Sequence, residues 1–286
     1  IGFAVAKSLA RAGGWNITIF NLHNLKGQTA KHSLDEIISS SSSTSSVTSR
    51  QVDCTDYQAQ GAAFRETFDR TGRLDFVFAN AGIAEKGDFY QRHATENDGL
   101  QPPPPYSDSV IRICLEAACK TAYIAQHYFR QTPKRLQGDQ TLVLTSSSGG
   151  IYPCGRYPLY AAAKHGVVGF LRAIAPSYYK DDGIRVNAIC PGPVRTGLLS
   201  DAEWDLLPQE LMTNVETVAD VVMMLIEGQD SEPKGNTWID GVKMDGVEDS
   251  QDALLWGNVI EISGEKHYYR NAPRWSDATM ETNMNA

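Results

Sequence analysis

The chain has 286 residues, 42% of them hydrophobic, enough to bury the core of one α/β domain. A net charge of −8 without a dense Lys/Arg run disfavours contact with a phosphate backbone, and no apolar run approaches the roughly 20 residues that span a bilayer. Nucleic-acid and membrane partners are therefore not expected. The five cysteines include no Cys-x-x-Cys pair and read as reduced thiols of a cytoplasmic protein, and the start of the chain has no secretory-signal pattern.

In chain order, Ile1-Gly2-Phe3 leads straight into a predicted helix over residues 3–12. A nucleotide-binding α/β domain opens instead with a strand and a glycine-rich turn. The sequence is thus expected to lack the first strand and the start of that turn. A short apolar run over 17–20 predicts a buried strand, and the Ser/Thr-rich stretch 39–49 predicts a flexible surface loop. A helix over 56–70 and a strand over 74–78 follow, then a long loop over 83–105. That loop contains the run Pro102 to Pro105, which excludes helix and central strand. Next come a helix over 107–130, a strand over 141–145, a helix over 158–179 and a strand over 184–189. Last are a helix over 215–226, with Thr213 and Glu216 as a capping box, a strand over 258–262 and a C-terminal extension over 263–286. Strand–helix alternation of this kind predicts a single α/β domain over residues 1–286, built on a doubly wound parallel sheet.

The chemistry-bearing residues fall at strand ends. Tyr160 and Lys164 lie four apart on a predicted helix and therefore share a face. A phenol loses its proton near pH 10, and a neighbouring ammonium would bring it towards acid–base range. The same spacing also fits an amphipathic helix with a solvated lysine. Ser147, 13 residues before Tyr160, follows the strand TLVLT and offers a hydroxyl to a substrate oxygen. Asn80-Ala81-Gly82 follows the strand LDFVF, and Pro191 to Thr196 follows IRVNAI. Each of these breaks could be a plain turn; four of them, at successive strand ends, suggest one ligand-binding edge.

The string ANAG, the spacing from SSSGG to YAAAK and the phrase RVNAICPGPVRT resemble the short-chain dehydrogenase/reductase family, over most of the chain from Gly2 to about Ile262. The phrases KHGVVGFLRA and GNVIEISGEKHYYR are similar to fungal members of the 15-hydroxyprostaglandin dehydrogenase and 5'-hydroxyaverantin dehydrogenase type. The resemblance implies a Rossmann-type fold, an NAD(P) cofactor, a small-molecule alcohol or ketone substrate and assembly into a homodimer or homotetramer. It implies Tyr160 as general acid/base, Lys164 as its activator and ribose ligand, and Ser147 as the residue orienting the substrate oxygen. It further places Ile1 and Gly2 at the end of the phosphate turn, Asn21 and Leu22 at the ribose and Asp53 and Cys54 at the adenine. Asn80, Ala81 and Gly82 would line the groove, with Pro191, Gly192, Val194 and Thr196 at the nicotinamide.

Two further positions depart from the family pattern. Asn21 stands where NAD-preferring members carry Asp; it accepts from a ribose hydroxyl without repelling a 2′-phosphate, which leaves NAD favoured and NADP open. Cys114 stands where an Asn serves proton relay. The loop after Gly82, residues 151–157 and residues 197–212 are expected to enclose a large apolar pocket, with Tyr152, Tyr157, Trp204, Leu206 and Leu207 in its wall. The function expected is hydride transfer between nicotinamide and a secondary alcohol or ketone on a bulky apolar molecule, such as a polyketide or lipid of secondary metabolism. A catalytically impaired nucleotide- or partner-binding member and a dehydratase or isomerase on the same scaffold are the alternatives.

Overall fold

The computed structural model describes residues 1–41, 43–92, 102–134, 140–230, 238–239, 242–243 and 254–285. The order begins α1 (Gly2–Ala12), β1 (Asn16–Asn21), α2 (Asn24–Ser40), β2 (Ser46–Gln51), α3 (Tyr57–Thr71) and β3 (Phe76–Ala79). A composite helix follows: α4 (Ser109–Ile111), a π-helical turn (Arg112–Glu116) and α5 (Ala117–Gln131). Then come β4 (Thr141–Thr145), α6 (Pro158–Asp182), β5 (Arg185–Pro191), α7 (Asp201–Trp204) and α8 (Val215–Glu227). The short hairpin β6 (Trp238–Ile239) and β7 (Val242–Lys243), the strands β8 (Val259–Ser263) and β9 (Lys266–Tyr269), and α9 (Ala278–Asn285) complete the chain.

The expected α/β architecture is present, with two parallel ladders instead of one. β1 pairs with β2, Asn16 opposite Ser46. A five-stranded sheet runs β3-β4-β5-β8-β9, parallel except for β9, which returns antiparallel on β8. Among the described residues, side chains rather than backbone bonds unite the ladders. On one face, Val5 and Leu9 of α1 and Val218, Val222 and Leu225 of α8 pack with Ile17, Val47, Val143, Ile189 and Ile260. On the other, Phe129 of α5 and Val167 and Leu171 of α6 pack with Leu142, Leu144, Val186 and Ala188. Successive residues of β4 and β5 thus enter opposite cores, which is why both strands read as continuous apolar runs.

Three local expectations are corrected. The stretch 39–49 is not one loop: α2 runs to Ser40 and β2 starts at Ser46. Ser39 Oγ donates within the helix to Asp35 O and Thr48 bonds Thr18 across the strand pair, while Val47 and Ser49 face inward at strand spacing, Ser49 Oγ without a hydrogen-bond partner. The cap of α8 is Asn214, whose side chain accepts from the Glu216 N–H; Thr213 turns away to donate towards Ile262 O and accept from Gly264 N. Residues from 263 on are not all an appendage, because β9 extends the sheet with Tyr269 opposite Ile260. Of the predicted loop 83–105, residues 93–101 lie outside the described residues, and Pro102 to Pro105 are irregular as expected.

Phe129, wholly buried between α5, α6 and the sheet, carries much of the second core. Phe129→Ala should lower unfolding free energy by about 3–5 kcal/mol, read as a shift in the urea midpoint at unchanged slope.

Candidate active site at the carboxyl ends of the strands

The site is built on the docking of α6 against the end of β4. After Thr145 the chain turns through Ser146, whose Oγ donates to Lys164 O at 2.8 Å. Lys164 Nζ donates in return to Thr145 O at 2.8 Å. Gly150 lies in the turn against them, where a β-carbon would stand 2.7 Å from Lys164 O and collide with Ser146. Ser147 precedes this turn in extended conformation, its Oγ accepting from Gly149 N at 3.1 Å and lining the same cavity as the Tyr160 phenol. Pro158 at the first position of α6 presets the helical φ, and Tyr160 and Lys164 follow one turn apart on the inner face.

A cavity of about 400 Å³ opens over these groups. Ser147, Tyr160 and Lys164 line it together with Ile1, Asn80, Gly82, Pro191, Gly192, Val194 and Thr196, so ten of the sequence-selected residues meet in one place. Gly2, Asn21, Leu22, Asp53, Cys54 and Ala81 do not line it. Gly2 sits behind Asn80, which a β-carbon there would approach to 3.0 Å. Asn21 ends β1 and accepts from His23 N at 2.8 Å, Leu22 is exposed, and the Asp53 carboxylate accepts from the Thr55 N–H and hydroxyl at the end of β2. These residues stand at the strand ends beyond the cavity, where the adenosine half of a dinucleotide would run. With the glycine at Gly82 leaving room beside Lys164, the residues fit a dinucleotide.

The outer wall matches the expected pocket in part. Tyr157, Trp204 and Leu207 line the cavity; Leu206 is exposed, and Tyr152 is drawn out of it. Tyr152 OH donates to Glu261 at 2.9 Å and accepts from Arg270, because the buried Glu261 carboxylate requires partners. Trp204 is fixed by its indole N–H donating to Thr196 O at 2.7 Å, and Arg195 pairs with Asp205 beside it. Leu198 and Leu199 enlarge the apolar wall, and Ala84 and Glu85 complete it. Glu85 was not legible in sequence, since nothing in the string after Gly82 marks it as facing α6. Cys114 lies in the π-helical turn, 1% exposed, with its thiol against both the N–H and the carbonyl of Ile83 at 3.4 Å. It holds the loop after Gly82 and does not line the cavity.

Electrostatics depart from the simple expectation for Tyr160. Burial pushes its phenol up to about 12, partly opposed by the Ser147 hydroxyl. Lys164 does not offset this, because its ammonium lies 5.6 Å from the centre of the Tyr160 ring and is turned to Thr145 O; burial pushes its own pKa down. In this geometry the tyrosine keeps its proton at neutral pH.

The match to known proteins follows this geometry. Residues 1–238 fit the family model described as enoyl-(acyl carrier protein) reductase. A short-chain dehydrogenase/reductase, prx7 of Penicillium rubens, is 40% identical over 287 residues, covering 100% of this chain and 95% of the relative. The chain belongs to the short-chain dehydrogenase/reductase family. Nicotinamide-dependent hydride transfer is generic to that family. The human 15-hydroxyprostaglandin dehydrogenase [NAD(+)] is 30% identical over 155 residues, 54% of this chain and 50% of that enzyme. The structure of ElxO with NADP bound shares the fold, with a TM-score of 0.66 at 18% identity, covering 91% and 92% of the two chains. Among the described residues no helix is long and apolar enough to cross a membrane, and no cluster of His, Cys, Asp or Glu would hold a metal ion.

Two outcomes check this site. Gly150→Ala should lower the melting temperature and abolish any turnover, whereas Gly155→Ala, with open space around it, should do neither. In the protein without nucleotide, tyrosinate absorbance of wild type minus Tyr160→Phe should stay flat up to pH 10, because the raised phenol remains protonated there. A difference emerging near neutral pH would show that Lys164 already activates it.

Proposed function

We propose that the protein moves a hydride between a nicotinamide dinucleotide and a secondary alcohol or ketone on a bulky, mostly apolar molecule such as a polyketide or lipid. The convergence of Ser147, Tyr160 and Lys164 on one cavity carries the reading. The wall of Val194, Leu198, Leu199, Trp204 and Leu207 supports an apolar substrate. Pro191 to Thr196 and Asn80 to Gly82 would hold the nicotinamide half, Asn21 and Asp53 the adenosine half, with NAD preferred and NADP accommodated. When bound, the nicotinamide supplies or accepts the hydride.

The protein side of the reaction is acid–base work. Tyr160, protonated at neutral pH, gives its proton to a carbonyl oxygen in reduction and must lose it first in oxidation. Ser147 Oγ, on the same cavity wall as the phenol, orients the same oxygen. Lys164 keeps one N–H on Thr145 O and has its others free for ribose hydroxyls. The family reading includes assembly into a dimer or tetramer in the cytoplasm. A nucleotide-binding member with weak turnover is the second reading, and the position of the Lys164 ammonium at the Tyr160 ring favours it.

Tyr160→Phe should cut turnover about 10²- to 10⁴-fold while leaving NADH binding, followed by fluorescence, unchanged. Oxidation of an apolar secondary alcohol should speed up with rising pH and reduction should slow in alkali, since the phenolate is the base and the phenol the acid. A wild type that binds NADH yet reacts with no apolar alcohol or ketone supports the second reading instead.

A further inference from the structure

Helix α6 begins with a deficit of caps. The side chain at its N-cap, Tyr157, makes no capping bond, and Pro158 has no N–H. The first intrahelical bond is Ala161 N to Tyr157 O at 2.9 Å, which leaves the amide of Tyr160 itself without a partner in the helix. That amide donates to Glu85 Oε2 at 2.9 Å, from a residue 75 positions upstream on the loop after β3. A carboxylate here suits the positive end of the helix dipole, and a charge-assisted bond is stronger than a neutral one.

Glu85 also lines the cavity. Among the described residues no Lys, Arg or His forms an ion pair with it. The wall's other ionisable side chains are the phenols of Tyr157 and Tyr160 and the ammonium of Lys164, which gives one N–H to Thr145 O and lies 5.6 Å from the centre of the Tyr160 ring. On the Glu85 side of the cavity the substrate meets a carboxylate that has no ion-pair partner and sits at the backbone of Tyr160.

We propose that Glu85 positions Tyr160 by capping the catalytic helix, and that its carboxylate makes the cavity selective for substrates neutral on this side over carboxylates. The proposal rests on the oxidoreductase reading for its catalytic consequence only. A second negative charge entering a partly enclosed cavity is opposed by Coulomb repulsion that water screens poorly there. Loss of the cap would fray the first turn of α6 and swing the Tyr160 ring relative to Ser147.

Two variants separate the roles, because Glu85→Gln keeps an acceptor and loses the charge, whereas Glu85→Ala loses both. Amide hydrogen exchange over residues 159–161 should be faster by about tenfold or more in Glu85→Ala, the size of one lost capping bond, and by clearly less in Glu85→Gln, whose neutral amide oxygen still accepts. Acetylnaphthoic acid and its methyl ester, titrated in the presence of NADH, probe the charge. The preference for the ester should fall about five- to tenfold in Glu85→Gln. With the ester as substrate, kcat should fall about tenfold in Glu85→Ala at similar KM, and by less in Glu85→Gln, which keeps an acceptor for the Tyr160 amide. Unchanged exchange in Glu85→Ala overturns the positioning role. An unchanged ester preference in Glu85→Gln, or binding of neither compound by any of the three proteins, overturns the selectivity. If exchange and binding respond as expected but no protein turns over the ester, Glu85's role stands and the oxidoreductase reading fails.

Discussion

The reciprocal hydrogen bonds between the end of β4 and α6 are the constraint on which the site depends. Lys164 Nζ to Thr145 O and Ser146 Oγ to Lys164 O cross-link strand and helix, and both donors are buried. An ammonium withdrawn from water must keep partners, so Lys164 cannot drift from the strand without cost. The approach is close enough that only glycine fits at 150. Once α6 is seated, Tyr160 and Ser147 are brought to one point without further adjustment, and the Pro191–Thr196 turn closes over them from the neighbouring strand.

Burial acts on the two ionisable partners in opposite senses, raising the phenol and lowering the ammonium. The site is thereby set to hold a proton on Tyr160, which suits carbonyl reduction at neutral pH. For alcohol oxidation the phenolate must be stabilised by something beyond the present geometry. Lys164 is near enough to do this only if its ammonium moves from the ring towards the hydroxyl, and a ribose hydroxyl between them would provide such a bridge.

The rim is held by polar networks of its own. Arg195 with Asp205 and the Trp204 indole fix the segment that supplies the apolar wall, while Glu261, Tyr152 and Arg270 tie the loop beyond Ser147 to β8 and the residue after β9. Cys114 belongs to the same class of support. Its thiol takes both backbone groups of Ile83 and fills the π-helical turn, which keeps the loop carrying Glu85 in register with α6.

The sequence by itself determined the α/β class and the buried central strands, because apolar runs and helical spacing are local signals, while it singled out Ser147, Tyr160 and Lys164 only through strand-end breaks taken together with the family resemblance. It misread 39–49 and passed over α2, because only Gly27 and Leu34 of that helix are buried and its apolar stripe is faint, and because hydroxyl-rich strands and loops have the same composition. Tertiary structure alone decided that Tyr152 leaves the pocket for Glu261 and Arg270, that Cys114 is a packing residue, and that Glu85 caps α6. It also decided that Lys164 faces the ring of Tyr160 and the carbonyl of Thr145. Each of these depends on contacts between segments far apart in the chain, and on the burial those contacts create, which no local pattern encodes.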